Sequence, residues 1–174
     1  MDETTTVQQL NIPLNRDLFL RTLIRELAGT LERVVGYEEA AGYISLVGQH
    51  MGKWINSLYT RELGVTTLNR DQVAQVLVDL KQRIHGDFSI VAQDHHKIIL
   101  SNSSCPFGDA VLERPSMCMM TSNVFGVITA TNLGYAKVIL EETIAGRCGQ
   151  CRVTIYLEQS PEAEAAQGWE YYGD

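Results

Sequence analysis

The chain has 174 residues, 45% of them hydrophobic and 20% charged, which fits one globular domain with a short appendage and excludes a disordered, collagen-like or two-domain chain. Twenty-one Asp and Glu against 14 Lys and Arg give a net charge of −7 with no basic cluster, which argues against direct nucleic-acid binding. No apolar stretch approaches the ~20 residues of a membrane span, and the first residues lack the basic and apolar regions of a secretory signal, so the chain is expected in the cytoplasm, where thiols stay reduced.

Residues 1–13 are polar, rich in Thr and Gln, and read as a flexible arm. Asn15 then caps a helix whose apolar stripe is Leu20, Leu23, Ile24, Leu27, Leu31, Val34 and Val35, with Arg21, Arg25, Glu26, Glu32 and Arg33 on the opposite face and Gly36 as its stop. A second helix, Tyr37 to about Leu63, carries Ala40, Ile44, Val47, Met51, Ile55 and Leu58 on one stripe and ends at Gly64. Gly42, Gly48 and Gly52 lie inside it, each costing roughly 1 kcal/mol against Ala, so another helix or a ligand is expected to approach closely there. Asn69 with Gln72 forms a capping-box variant ahead of a third helix with the stripe Val73, Val76, Leu77, Leu80 and Ile84, closed by Gly86.

After Gly86 the period changes from 3.6 to 2: Phe88, Ile90 and Ala92 alternate with polar positions, a polar turn Asp94-His95-His96-Lys97 follows, and Ile98 to Leu100 completes a predicted β-hairpin. The stretch from Ser101 to Ser122 has no clear period and is longer than an ordinary connection, a length that marks functional or disordered loops. A short helix from Val124 to Leu133, capped by Ser122 or Asn123 and closed by Gly134, precedes strands at Ala136 to Glu141 and Arg152 to Glu158. The fold class is therefore α+β: three N-terminal helices (14–86), then a β-β-loop-α-β-β, mostly antiparallel sheet part (87–160), and a polar tail (161–174) expected to be mobile.

All four cysteines fall in the sheet half: Cys105 and Cys118 bracket the long loop, and Cys148 and Cys151 form a Cys-x-x-Cys pair before a strand. A two-residue gap lets two thiolates reach one ion, and four thiolates suit a closed zinc site or an iron–sulfur cluster, so Cys105, Cys118, Cys148 and Cys151 are the candidate metal ligands. Two other readings stay open: small buried hydrophobes, and a reversible Cys148/Cys151 dithiol serving a thiol-redox enzyme. Met117 and Phe125 beside the loop could line an apolar ligand pocket, with His50 and Trp54 of the glycine-bearing helix as further candidates. His50 could also ligate haem, a weaker alternative than metal on thiolates, since histidines of this kind more often sit on a polar face. Walker, Gly-x-Gly-x-x-Gly and Gly-x-Ser-x-Gly patterns are absent.

Several runs resemble a known family: Asn102-Ser103-Ser104-Cys105-Pro106-Phe107-Gly108, Arg114 to Ser122, Gly134-Tyr135-Ala136-Lys137-Val138, and Gly149-Gln150-Cys151-Arg152 through Leu157. Together they resemble the methanogen output domain family, which is related to the 4-vinyl-reductase type of small-molecule-binding sensor domain. The resemblance implies a sensory module that responds to redox state or a small molecule and, with no effector segment attached, signals in trans to a partner protein. It also implies a metal on Cys105, Cys118 and Cys151, to which Cys148 is added by its spacing, and a carboxylate ligand for which Glu141 or Glu142 is the candidate. A homodimer is a further possibility, through the glycine-bearing helix or the aromatic tail Trp169, Tyr171 and Tyr172.

Overall fold

The computed structural model describes residues 11–173, so the predicted N-terminal arm lies largely outside the described residues. Short-range signals set the helix ends. Asn15 Oδ1 accepts the Leu18 N–H at 2.9 Å, and α1 (Arg16–Val35) runs to Gly36, whose φ of 87° turns the chain straight into α2 (Tyr37–Leu63). The Asn69 and Gln72 side chains cap each other's backbone N–H groups reciprocally at 3.0 and 2.9 Å, opening α3 (Arg70–Gln82).

The sheet half follows as β1 (Ser89–Gln93), β2 (Lys97–Asn102), α4 (Cys118–Leu133), β3 (Tyr135–Glu142), β4 (Cys151–Tyr156), α5 (Pro161–Ala165) and β5 (Trp169–Tyr172). The strands pair antiparallel throughout in the order β1-β2-β4-β3-β5, so β4 sits at the centre and places Cys151 opposite Asn102. One sheet face, with Ile98, Leu100, Val138, Val153 and Ile155, packs on α3 and α4 to form the main core. Phe88, just ahead of β1, meets Phe125 of α4 edge to face at 5.4 Å.

Four expectations change. The long loop is shorter than predicted, because a 3₁₀ turn at Pro115–Met117 runs directly into α4, which begins at Cys118. Ser122 and Asn123 do not cap it; they are buried one turn inside, with Ser122 Oγ 2.9 Å from the Tyr171 hydroxyl and Asn123 Nδ2 donating to Met119 O. Residues 161–173 of the predicted tail are not loose: Ser160 caps α5, and β5 pairs along β3 from Tyr135↔Tyr172 to Val138↔Trp169, with Tyr171 buried over Gly126. An aromatic run this short holds a strand only when a sheet edge is offered to it.

The third change concerns the glycines of α2. A Cβ on Gly48 would lie 2.7 Å from Asn123 Cβ and one on Gly52 2.9 Å from Val127 Cβ, so these two glycines let α2 lie against α4; Gly42 meets nothing within 4 Å and serves no such approach. The last is the orientation of α1. Arg21, Arg25 and Glu32 turn toward the protein with Ala28 and Gly29, while Leu20, Leu23, Ile24, Leu27 and Val34 face outward. The polar inward face is used: Arg25 Nη1 donates to the carbonyls of Ala110 and Leu112 at 2.7 and 2.8 Å, and Glu32 accepts from the Ser116 hydroxyl. Helix α1 thereby holds the loop between β2 and α4 by these hydrogen bonds together with the packing of Ala28 on Val111 and Met117.

Candidate functional site

Lys81 occupies an apolar position of α3, four residues after Leu77, and is only 4% exposed. Its Nζ donates to Thr121 Oγ1 at 2.7 Å and lies 5.5 and 5.2 Å from the centroids of Phe88 and Phe125. No carboxylate pairs with it among the described residues. Burial lowers its titration from 10.5 to about 8, and the nearby thiols of Cys105, Cys151 and Cys118 hold it from falling further.

Those three thiols come from three elements. Cys105 lies in the loop after β2, Cys118 is the first residue of α4, and Cys151 is the first residue of β4, where its Sγ receives the Ile144 N–H at 3.4 Å. They line one pocket together with Phe88, Met117 and Val153. Burial pushes all three thiols up: Cys118 to about 12, with Cys151 and Cys105 adding to the rise, and Cys105 and Cys151 in the same direction. The result is a partly buried set of protonated thiols beside one buried cation. The cavity has about 30 Å³ of free volume, room for one or two waters, so an organic ligand needs the walls to move.

The loop that closes the pocket is tied at both ends. Asp87 accepts the Ser103 and Ser104 N–H groups at 2.9 and 2.7 Å, and Arg25 of α1 grips the carbonyls at 110 and 112. Of the predicted site residues, Cys105, Cys118, Cys151 and Met117 share the pocket, and Phe125 lies beside it against Phe88 and Lys81. Cys148 is exposed on the turn before β4, and His50 and Trp54 stand on the outward face of α2, apart from the pocket. Glu141 pairs with Arg152 at 2.9 Å and accepts from Thr154, Glu142 accepts from Gln150, and neither lines the cavity.

The donor set has the chemistry of a soft-metal site, three thiols with a fourth on the adjoining turn, yet the coordination sphere is not closed: among the described residues no three His, Cys, Asp or Glu side chains are grouped tightly enough to hold an ion. A nucleophilic dithiol needs a thiolate near neutral pH, and the upward shift of Cys151 runs the other way. Sequence reasoning missed Lys81 and Arg25. The signal for Lys81 was its place in the Val73, Leu77 stripe; for Arg25, whose face was assigned to solvent, there was none.

A family model described as methanogen output domain 1 matches residues 23–156. The chain belongs to that family. The match spans both the helical half and the cysteine half, including all of Cys105, Cys118, Cys148 and Cys151. No curated protein matches the sequence. Among solved structures, the phenol-responsive sensory domain of the transcription activator PoxR, crystallised with phenol, is similar with a TM-score of 0.63 at 17% identity, over 88% of this chain and 81% of that one. A trafficking protein particle complex subunit 3 from Naegleria fowleri, covalently bound to palmitic acid, is similar with a TM-score of 0.54 at 9% identity, over 81% of this chain and 96% of that one. At these identities the likeness is one of fold. No helix of the described residues is long and apolar enough to cross a membrane.

Proposed function

We propose that this family member is a sensory module in which Cys105, Cys118 and Cys151, with Cys148 as the fourth donor, hold a zinc ion or an iron–sulfur cluster, and that a change of redox state or a small molecule at this site is passed to a partner protein. The observation that supports it most is the unpaired Lys81 ammonium buried beside three converging thiols. A lone buried cation is costly, whereas a metal-bound thiolate set is anionic and gives that cation a partner. The family's output role and the sensory fold it shares with the PoxR domain point the same way.

The bound metal would supply charge and, in a cluster, an electron-accepting centre. The chain's own residues do the rest. Thr121 and the two aromatic rings orient Lys81 toward the sulfurs, Met117 and Val153 keep water out, and the loop held by Asp87 and Arg25 carries Cys105 into range. Cys105 and Cys118 flank that loop, so its hold on α1 through Arg25 is the contact through which occupancy of the thiols would be passed on, as a switch requires. Metal analysis of anaerobically purified protein tests the proposal: about one zinc or one cluster per chain is expected, lost in Cys118→Ala and in Cys151→Ala. Less than about 0.1 equivalent of any transition metal refutes it. Absorption near ~400 nm that bleaches with dithionite distinguishes a cluster from colourless zinc.

A further inference from the structure

The cavity beside the cysteines has a polar imbalance that its sulfurs do not account for. Asn102, the last residue of β2, is 4% exposed; its Nδ2 donates to Ser104 O at 2.8 Å, while its Oδ1 is buried without a hydrogen-bond partner. A buried carbonyl left in that state bears the full cost of its desolvation. Thr121 lines the same cavity as Asn102. Its Oγ1 accepts from Lys81 Nζ, which leaves its own O–H to donate, and of the three ammonium hydrogens of Lys81 it receives one. Phe88, whose ring centroid lies 5.5 Å from Lys81 Nζ, is part of that cavity wall as well. At this wall one acceptor needs a hydrogen, a hydroxyl and an ammonium have hydrogens to give, and one positive charge needs a negative one. Metal-bound thiolates would answer the charge, but they carry no hydrogen for Asn102 Oδ1.

We infer that Asn102, Thr121 and Lys81 form a binding site for a small monoanion that still carries a hydrogen, and that this anion is hydrosulfide. Three conditions select it. The buried ammonium asks for an anion, because water or a neutral alcohol leaves the charge uncompensated. The Asn102 carbonyl asks that the anion keep a hydrogen, which excludes chloride and fully deprotonated acids. The free volume of about 30 Å³ excludes hydrogencarbonate and dihydrogen phosphate, which meet the first two conditions but are several heavy atoms across. Hydrosulfide is a single heavy atom, with its S–H for Asn102 Oδ1 and lone pairs for the Thr121 hydroxyl and the Lys81 ammonium. Its soft, polarizable sulfur also suits a wall made of an aromatic ring and thiols. The inference rests on the reading above in taking this cavity as the sensed site; it names the small molecule and does not require the metal.

Equilibrium dialysis of the full chain as purified against radiolabelled sulfide, under anaerobic conditions and with metal content measured on the same samples, tests this. Saturable binding of about one sulfide per chain below about 1 mM is expected. Lys81→Met and Thr121→Val, which keep the side-chain volume, and Asn102→Leu should each weaken binding at least about 10-fold with an unchanged circular dichroism spectrum. Chloride at about 100-fold excess should leave the sulfide in place, since it brings charge but no hydrogen; this arm uses the natural protein and stands if a variant fails to fold. Absence of saturable binding up to about 1 mM overturns the inference, as does displacement by chloride. Binding that survives the three substitutions but is lost in Cys118→Ala places sulfide on the metal and overturns it too. Protein with less than about 0.1 metal per chain that binds sulfide through Asn102 refutes the metal reading and supports this one, whereas protein that holds metal and binds no sulfide does the reverse.

Discussion

Replacing Lys81 by Met isolates the energetic oddity of the site. The side chains have similar length, Lys81 is 4% exposed, and its titration is lowered by burial from 10.5 to about 8. That difference corresponds to about 3 kcal/mol by which the fold disfavours the charged form at neutral pH. Against it stand the lost hydrogen bond to Thr121, about 1 kcal/mol, and part of the contact with the two rings. Lys81→Met should therefore be more stable than the natural protein by about 2 kcal/mol at pH 7 when measured metal-free, with chelator and reductant present. The sign of the pH dependence follows from a folded-state titration below the unfolded one. The unfolded chain binds more protons, so the cost is complete below pH 8 and is relieved as pH rises toward 10.5. Between pH 7 and 9 the natural protein should gain about 1 kcal/mol relative to Lys81→Met, since thiol ionisation in the unfolded chain, which acts in the opposite direction, is common to both proteins and cancels in the comparison. Urea unfolding of both proteins at pH 7, 8 and 9 reads the difference. A variant less stable at pH 7, or two identical pH slopes, would refute the reasoning. With metal bound the effect should reverse, because the anionic thiolate set then loses its counter-charge.

Gly42→Ala and Gly52→Ala form a matched pair: both gain helix propensity, but only the second puts a Cβ 2.9 Å from Val127 Cβ, so thermal unfolding should show Gly42→Ala stabilised by about 0.5–1 kcal/mol and Gly52→Ala destabilised by about 1–2. Tyr171→Phe removes only the hydroxyl contact with Ser122 and should cost about 1 kcal/mol, whereas Tyr171→Ala, which opens a cavity over Gly126, should cost about 3–5 in denaturant unfolding. Arg25→Met should release the loop carbonyls at 110 and 112, seen as faster hydrogen exchange and proteolysis between residues 103 and 117 with little change in α2 or the sheet.

Much of this architecture is legible in the chain because the interactions responsible reach no further than about four residues. Asn15, Gly36, Gly64 and the Asn69/Gln72 pair mark helix ends in the sequence and do so in the fold, and the change of period after Gly86 marks the start of the sheet half. Gly48 and Gly52 announced a close neighbour without saying which; the neighbour is α4. The grouping of the cysteines was visible as well, in outline.

What a local pattern does not contain is the far side of each contact. Periodicity finds the stripe on α1 but not the direction it faces. That direction was decided by the loop carbonyls waiting for Arg25 and by Ser116 waiting for Glu32, residues more than 80 positions away in the chain. Spacing joined Cys148 to Cys151, whereas the antiparallel register of β4 between β2 and β3 carries Cys151 to Cys105 and Cys118 and leaves Cys148 on an exposed turn. Composition made 161–174 a tail, and the open edge of β3 made it a strand. Lys81 is the sharpest case: on α3 it is one cation among helix-forming residues, and only the packing of Phe88, Phe125 and three thiols around it turns it into a buried charge in need of a partner.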